Sequence, residues 1–222
     1  MATLEPQRPL LIFGSNYRDL VKLIGAINRN HATWDLLGFV DDRAEAQGRS
    51  IFGKPVLGRR EFLLTASSPR PAVFNNVCGQ EKNARAIASW LDDNGFCIAS
   101  LIHPGIDAAY VDIGRGAILP EGCVLGSGTR IGDFFTARLH VVISHDVAIR
   151  DFVFIGPGTV VGSNVTLEDG AFVGAGATIM AGKTIGSNSI VGAGALVIDN
   201  VPPGVTVAGV PARVIKPVGR DR

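Results

Sequence analysis

Residues 145–165 read HDVAIRDFVFIGPGTVVGSNV. Ile149, Ile155 and Val161 stand six apart, and Gly156 and Gly162 directly follow two of them. Extended both ways, the same step picks out Ile113, Leu119, Leu125, Ile131, Ala137, Ile143, Leu167, Val173, Ile179, Ile185, Val191 and Val197. Every marker is Ile, Leu or Val except Ala137. Gly comes next at 114, 126, 132, 156, 162, 174, 186 and 192. Two residues before the markers stand small or β-branched side chains such as Ala117, Cys123, Thr129, Val141, Val147 and Val153. A helix would turn residues six apart onto different faces, and a plain alternating strand has no use for Gly at every sixth place. A solenoid that corners every six residues needs one inward branched side chain per side and a permissive residue at the turn. The pattern predicts a β-solenoid that turns a corner every six residues. Cys123 falls at an inward position, where a thiol serves as a small hydrophobe.

Upstream of residue 102 the period changes. Leu10 to Phe13 reads as a short strand ending at Gly14, followed by Leu20, Leu23, Ile24 and Ile27 on one helical face. Leu36 to Val40 reads as a second strand that ends in Asp41 and Asp42. Ala72 to Phe74 reads as a third, before a helix with the face Ala84, Ile87, Ala88 and Leu91. Cys97 to Leu101 is a further strand candidate, and segment 43–71 gives no clear pattern. Strand–helix–strand order at this spacing predicts a small Rossmann-like α/β domain over residues 1–102, with the solenoid over 103–222.

Composition agrees with a folded chain of this kind. The 222 residues are 46% hydrophobic and 18% charged, which excludes a disordered chain. Lys plus Arg number 21 against 20 Asp plus Glu, so no overall charge draws the chain to nucleic acid. No apolar run reaches the length of a membrane span, and the N-terminus lacks the basic-then-apolar order of a secretory signal. Cys78, Cys97 and Cys123 lack metal-ligand spacing and are expected as reduced core residues of a cytoplasmic protein.

The hexads, followed by VPPGVTVAGVPARVI at 201–215, resemble the left-handed β-helix acyltransferases. Residues 145–165 and the two-domain plan are similar to the sialic acid O-acetyltransferase and bacillosamine-pathway sugar N-acetyltransferase group. The left hand of the helix comes from this resemblance. So do a homotrimeric state, acetyl-CoA as co-substrate in a cleft between β-helices, and a nucleotide-linked sugar as acceptor. The resemblance places the general base on His145, with Asp146 as its acidic neighbour. Imidazole is the side chain that titrates near neutrality, and a carboxylate beside it favours its charged form.

Cofactor contacts carry over to Phe154, Ala175 and Ala193. Relatives have a second histidine at the first of these positions, and Phe donates no hydrogen bond. Acceptor contacts carry over to the loop after the first strand, to Asp41 and Asp42, and to Asn75. Where the family's loop reads Gly-x-x-Gly-His-Gly, this chain has Gly14, Ser15, Asn16, Tyr17, Arg18 and Asp19. Tyr17 implies a reshaped pocket, Asp19 opposes a diphosphate, and Arg18 is expected to offset it. Two other readings compete with the transferase. One is a non-catalytic structural or binding trimer. The other is a carbonic-anhydrase-like metal site on His140, His145 and His103, although no metal is expected and the GVPAR tail argues against it.

Overall fold

The computed structural model describes residues 7–65, 69–79 and 81–219. Strands β1 (Arg8–Phe13), β2 (Trp34–Val40), β3 (Ser50–Ile51), β4 (Lys54–Gly58) and β5 (Ala72–Asn75) form one sheet in the order β3-β4-β2-β1-β5. β1 runs parallel to β2 and β5, and β4 parallel to β2; β3 alone is antiparallel. Alternate residues of β1 serve opposite faces. Leu10 and Ile12 pack with Leu20, Leu23 and Ile24 of helix α1 (Asp19–Asn30). Leu11 and Phe13 pack with Ile87 and Leu91 of helix α2 (Glu81–Asp93). A strand buried on both faces reads as an unbroken apolar run, as β1 does.

Two expectations change here. Segment 43–71 contributes strands β3 and β4 to the sheet. Of the candidate strand at 97–101, Ile98 makes an isolated bridge to Val73, whereas Leu101–Ile102 pairs with Ile118–Leu119. The chain therefore enters the solenoid's ladder at residue 101. Ile118 belongs to the core of the first sheet, so the two units share buried surface.

Fifteen two-residue strands follow between 112 and 197, each ending on one of the hexad markers. They stack into three parallel ladders. The first face carries Asp112–Ile113, Arg130–Ile131, Ala148–Ile149, Thr166–Leu167 and Thr184–Ile185. The second carries Ile118–Leu119, Thr136–Ala137, Phe154–Ile155, Phe172–Val173 and Ile190–Val191, and closes with the hairpin Val205–Ala208 and Arg213–Pro217. The third carries Val124–Leu125, Val142–Ile143, Val160–Val161, Thr178–Ile179 and Leu196–Val197. Markers and the residues two before them fill one core. Ala137 keeps the pattern because Phe135, fully buried two positions earlier, supplies the missing volume.

The glycines after the markers have a different cause from the expected one. A Cβ on Gly156, Gly162 or Gly174 would lie 2.6 Å from the backbone N of Ala175, Ala181 or Ala193 in the next coil. These positions need close approach, not a special φ. The left-handed residue sits three after each marker from Ile113 to Val191, and there Phe134, His140, Asp146, Phe152, Asn164 and Asn188 share the role with Gly.

Cys123 is buried as expected and donates to the Arg138 carbonyl at 3.3 Å. Cys97 is exposed and Cys78 half-buried, so neither is a core residue. Among the described residues no helix is long and apolar enough to cross a membrane.

Candidate active site

His145 and Asp146 occupy the turn from the third face (Val142–Ile143) to the first (Ala148–Ile149). Asp146 takes the left-handed conformation at φ 56°, which short polar side chains tolerate. Hydrogen bonds from Asp146 N to Ser127 O (3.0 Å) and Asn164 N to His145 O (3.2 Å) tie the turn to the coils on either side. Gly128 leaves room for the Asp146 carboxylate, since a Cβ there would strike Oδ1. The pair itself is exposed, with His145 Nδ1 2.8 Å from Asp146 Oδ2. A carboxylate only accepts, so Nδ1 carries the hydrogen and Nε2 keeps a free lone pair. An imidazole held this way can take a proton at Nε2.

A second concave site opens at the carboxyl ends of β1, β2 and β5, where a parallel sheet of this order changes direction. Its volume is about 700 Å³. Tyr17 from the loop after β1, Asp41 and Asp42 after β2, and Asn76 and Cys78 after β5 line it. Arg138, from the second face of the solenoid, forms the remaining wall. The carboxylates are already engaged. Asp41 accepts from Ser15 N (2.9 Å), Ser15 Oγ (2.6 Å) and Arg43 Nη2 (2.6 Å). Burial pushes the Asp41 carboxyl up, but the Arg43 and Ser15 bonds outweigh it and hold it well below the usual carboxylate range. Asp42 pairs with the Arg60 guanidinium. Burial raises the Tyr17 phenol, against the nearby Arg138 cation, so the ring stays neutral.

Three expected acceptor residues stand elsewhere. Arg18 and Asp19 are exposed at the start of α1 and do not line the cleft, because the helix begins at Asp19 and turns both side chains away. Asn75 is buried, donating to Ala84 O (3.0 Å) and accepting from Val77 N (3.0 Å), so it fastens β5 to α2. Asn76, one residue on, lines the cleft instead.

The expected catalytic and cofactor residues fall on opposite sides of the solenoid. Phe154 stands on the second face, stacked on Phe172 with centroids 4.6 Å apart. Ala175 and Ala193 occupy successive turns from the second face to the third. His145 lies on the corner between the third and first faces, away from both. His140 shares the corner of Ala175, so His140 and His145 do not converge within one chain. His103 Nδ1 accepts from Gly105 N at 3.1 Å.

Residues 146–181 match the model of the bacterial transferase hexapeptide (six repeats) family. The acetyltransferase domain of PglB from Neisseria gonorrhoeae FA1090 is 30% identical, with a TM-score of 0.85 over 94% of this chain and 100% of that one. The chain belongs to the hexapeptide-repeat acyltransferases of the left-handed β-helix type. Another acyltransferase of this type, a histidine-to-alanine variant of GDP-perosamine N-acetyltransferase from Caulobacter crescentus, was solved in complex with CoA and GDP-perosamine. It is 26% identical, with a TM-score of 0.84 over 96% of this chain and 99% of that one. GDP-perosamine N-acetyltransferase of Escherichia coli O157:H7 is 33% identical over 123 residues, 55% of this chain and 54% of that protein. The match thus spans about half of the curated relative's length.

The acyltransferase's cleft also holds residues that the sequence reading missed. Arg43 and Arg60 come from the segment without a pattern, and Arg138 follows a marker like any other hexad residue. Arg43 sits two residues beyond an Asp-Asp pair, which is the one local signal any of them carries.

Proposed function

We propose that the chain transfers the acetyl group of acetyl-CoA to an amino or hydroxyl group of a nucleotide-linked sugar. The observation that carries this reading is the exposed His145–Asp146 pair, with Nδ1 fixed and Nε2 free. His145 Nε2 takes the proton from the acceptor nitrogen or oxygen as that atom attacks the thioester carbonyl carbon. The C–S bond then breaks, and the sulfur leaves as CoA thiol with the proton returned by the imidazolium. Asp146 holds the ring with its hydrogen on Nδ1.

Residues 1–102 act as a Rossmann-like acceptor domain, with Tyr17, Asp41, Asp42 and Asn76 facing the sugar nucleotide. Acetyl-CoA lies along Phe154, Ala175 and Ala193. Those residues and His145 stand on different sides of one solenoid, so each site takes its base from one chain and its cofactor wall from another. A homotrimer of three-sided solenoids meets that need. The solved Caulobacter relative, which carries CoA and GDP-perosamine together, supports this reading, and the names of the relatives favour an amine acceptor.

The test is CoA thiol release from acetyl-CoA with UDP-, GDP- and dTDP-linked 4-amino sugars. Wild type is expected to turn over at least one of them. His145→Ala is expected to lose about 10²–10⁴ in kcat with acetyl-CoA binding retained. Retention of most kcat in that variant would remove His145 from the mechanism.

A further inference from the structure

Three arginines line the acceptor cleft, and two of them are neutralised by their own carboxylates, Arg43 by Asp41 and Arg60 by Asp42. Arg138 is held differently. Its guanidinium lies 3.8 Å from the centroid of the Tyr17 ring and 5.3 Å from that of Phe154. Nη2 donates to Cys78 Sγ at 3.1 Å. That sulfur is a weak acceptor, and burial raises the thiol so that it carries no compensating charge, although Arg138 opposes the shift. Nη1 is buried with no hydrogen-bond partner, and no carboxylate pairs with the group among the described residues. A cation that lines the cleft, lies against two rings and has no carboxylate partner is a site prepared for an anion, and a small rotation of the side chain brings its buried, unpaired Nη1 to the cleft. Cation–π contact replaces part of its lost hydration but fills none of its donors. A buried donor without an acceptor destabilises the protein, and an oxyanion that meets it removes that cost.

We propose that Arg138 is the residue that reads the acceptor's negative charge, its guanidinium turning to meet an oxygen anion of the bound molecule. This rests on the acceptor reading of the cleft. Two chemical sources fit: a phosphate of the nucleotide's diphosphate, or a carboxylate on the sugar. Both present paired oxygens that a guanidinium meets with parallel N–H donors. The loop after β1 makes such a residue necessary. Asn16 and Tyr17 line the cleft there, and their side chains keep the loop's backbone from the close approach that a glycine-rich loop gives a phosphate, so a side-chain donor from the solenoid takes over.

Titration calorimetry with UDP, GDP, dTDP, UDP-glucose and UDP-glucuronate against the full chain tests this. Arg138→Gln keeps a planar group over Tyr17 but removes the charge. It is expected to weaken binding of these probes tenfold or more. Loss across all the diphosphates assigns Arg138 to phosphate, and loss confined to UDP-glucuronate assigns it to a sugar carboxylate. Arg138→Lys keeps the charge without the fork and is expected to bind between the two; it carries the test should the glutamine variant not fold. Wild-type affinity for every anionic probe in either folded variant overturns the proposal and leaves the acceptor reading standing. Failure of wild type to bind any of the five, in a protein that still binds acetyl-CoA, overturns both.

Discussion

Asp41 is a buried carboxylate that receives five hydrogen bonds from two neighbours, two from Ser15 and three from Arg43. Its ionised form is the one these donors favour, so its carboxyl titrates lower in the folded chain than in the unfolded one. Stability from these bonds is therefore fully present above the ordinary aspartate range and is lost as pH falls through it. Asp41→Asn, which keeps the shape and removes the charge, is expected to destabilise the chain by about 1–3 kcal/mol near neutral pH. The gap between wild type and variant in urea unfolding should narrow as pH is lowered toward 3. A gap that stays constant with pH would take the carboxylate's charge out of the account. The position of this residue was legible in the sequence, as two acids at a strand's end; its partner Ser15, 26 residues away, was not. The same distinction explains the asparagines. Side chains alternate across a strand, so a shift of one residue turns Asn75 to α2 and Asn76 to the cleft. Motif position alone does not fix that parity.

In the solenoid, the six-residue period was legible because inward packing allows no exception of size without compensation, as Phe135 and Ala137 demonstrate. The purpose of the glycines was not. Eight of the fourteen positions directly after a marker are Gly, and so are eight of the fourteen left-handed positions three after a marker. Equal enrichment hides the difference between a residue that must be thin and one that must bend. Substitution separates them. Gly156→Ala places a Cβ 2.6 Å from the Ala175 backbone N, which cannot move without breaking the next coil's ladder. It is expected to cost about 1–3 kcal/mol, read as a fall in thermal midpoint. Asn164→Gly, at a left-handed position with φ 58°, exchanges backbone strain for unfolded-state entropy and should leave the midpoint nearly unchanged. The reverse ranking would return the turn to the marker glycines. The β3–β4 hairpin was illegible for a related reason: Phe52 adopts φ 47° at its turn, where Asn or Asp would have announced it.

At the scale of the molecule, the corner that each group occupies decides what one chain can do alone. Arg138 walls the acceptor cleft from the second face, with Phe154 against it, and His145 stands on the corner between the other two. A proton transfer needs its base within hydrogen-bond reach of the acceptor atom, and the body of a solenoid lies between them in a single chain. The proposed trimer removes this difficulty, since a neighbour's corner supplies the base. Mixing two defective chains tests the arrangement directly. His145→Ala removes the base and leaves the cleft. Ala86→Trp, on the exposed side of α2 that lines the cleft, fills the acceptor site and leaves the base. Each variant alone should be nearly inactive. Refolded or co-expressed together in equal amounts, they should recover roughly a quarter of wild-type activity, because each half of a shared site is intact half of the time. If base and cleft instead belonged to one chain, every site would carry one defect and the mixture would stay as inactive as its parts. Mixed assembly is checked by giving the two chains different affinity tags and isolating only particles that carry both. Silence in those doubly tagged particles would place the acceptor, and with it the base that serves it, within a single chain.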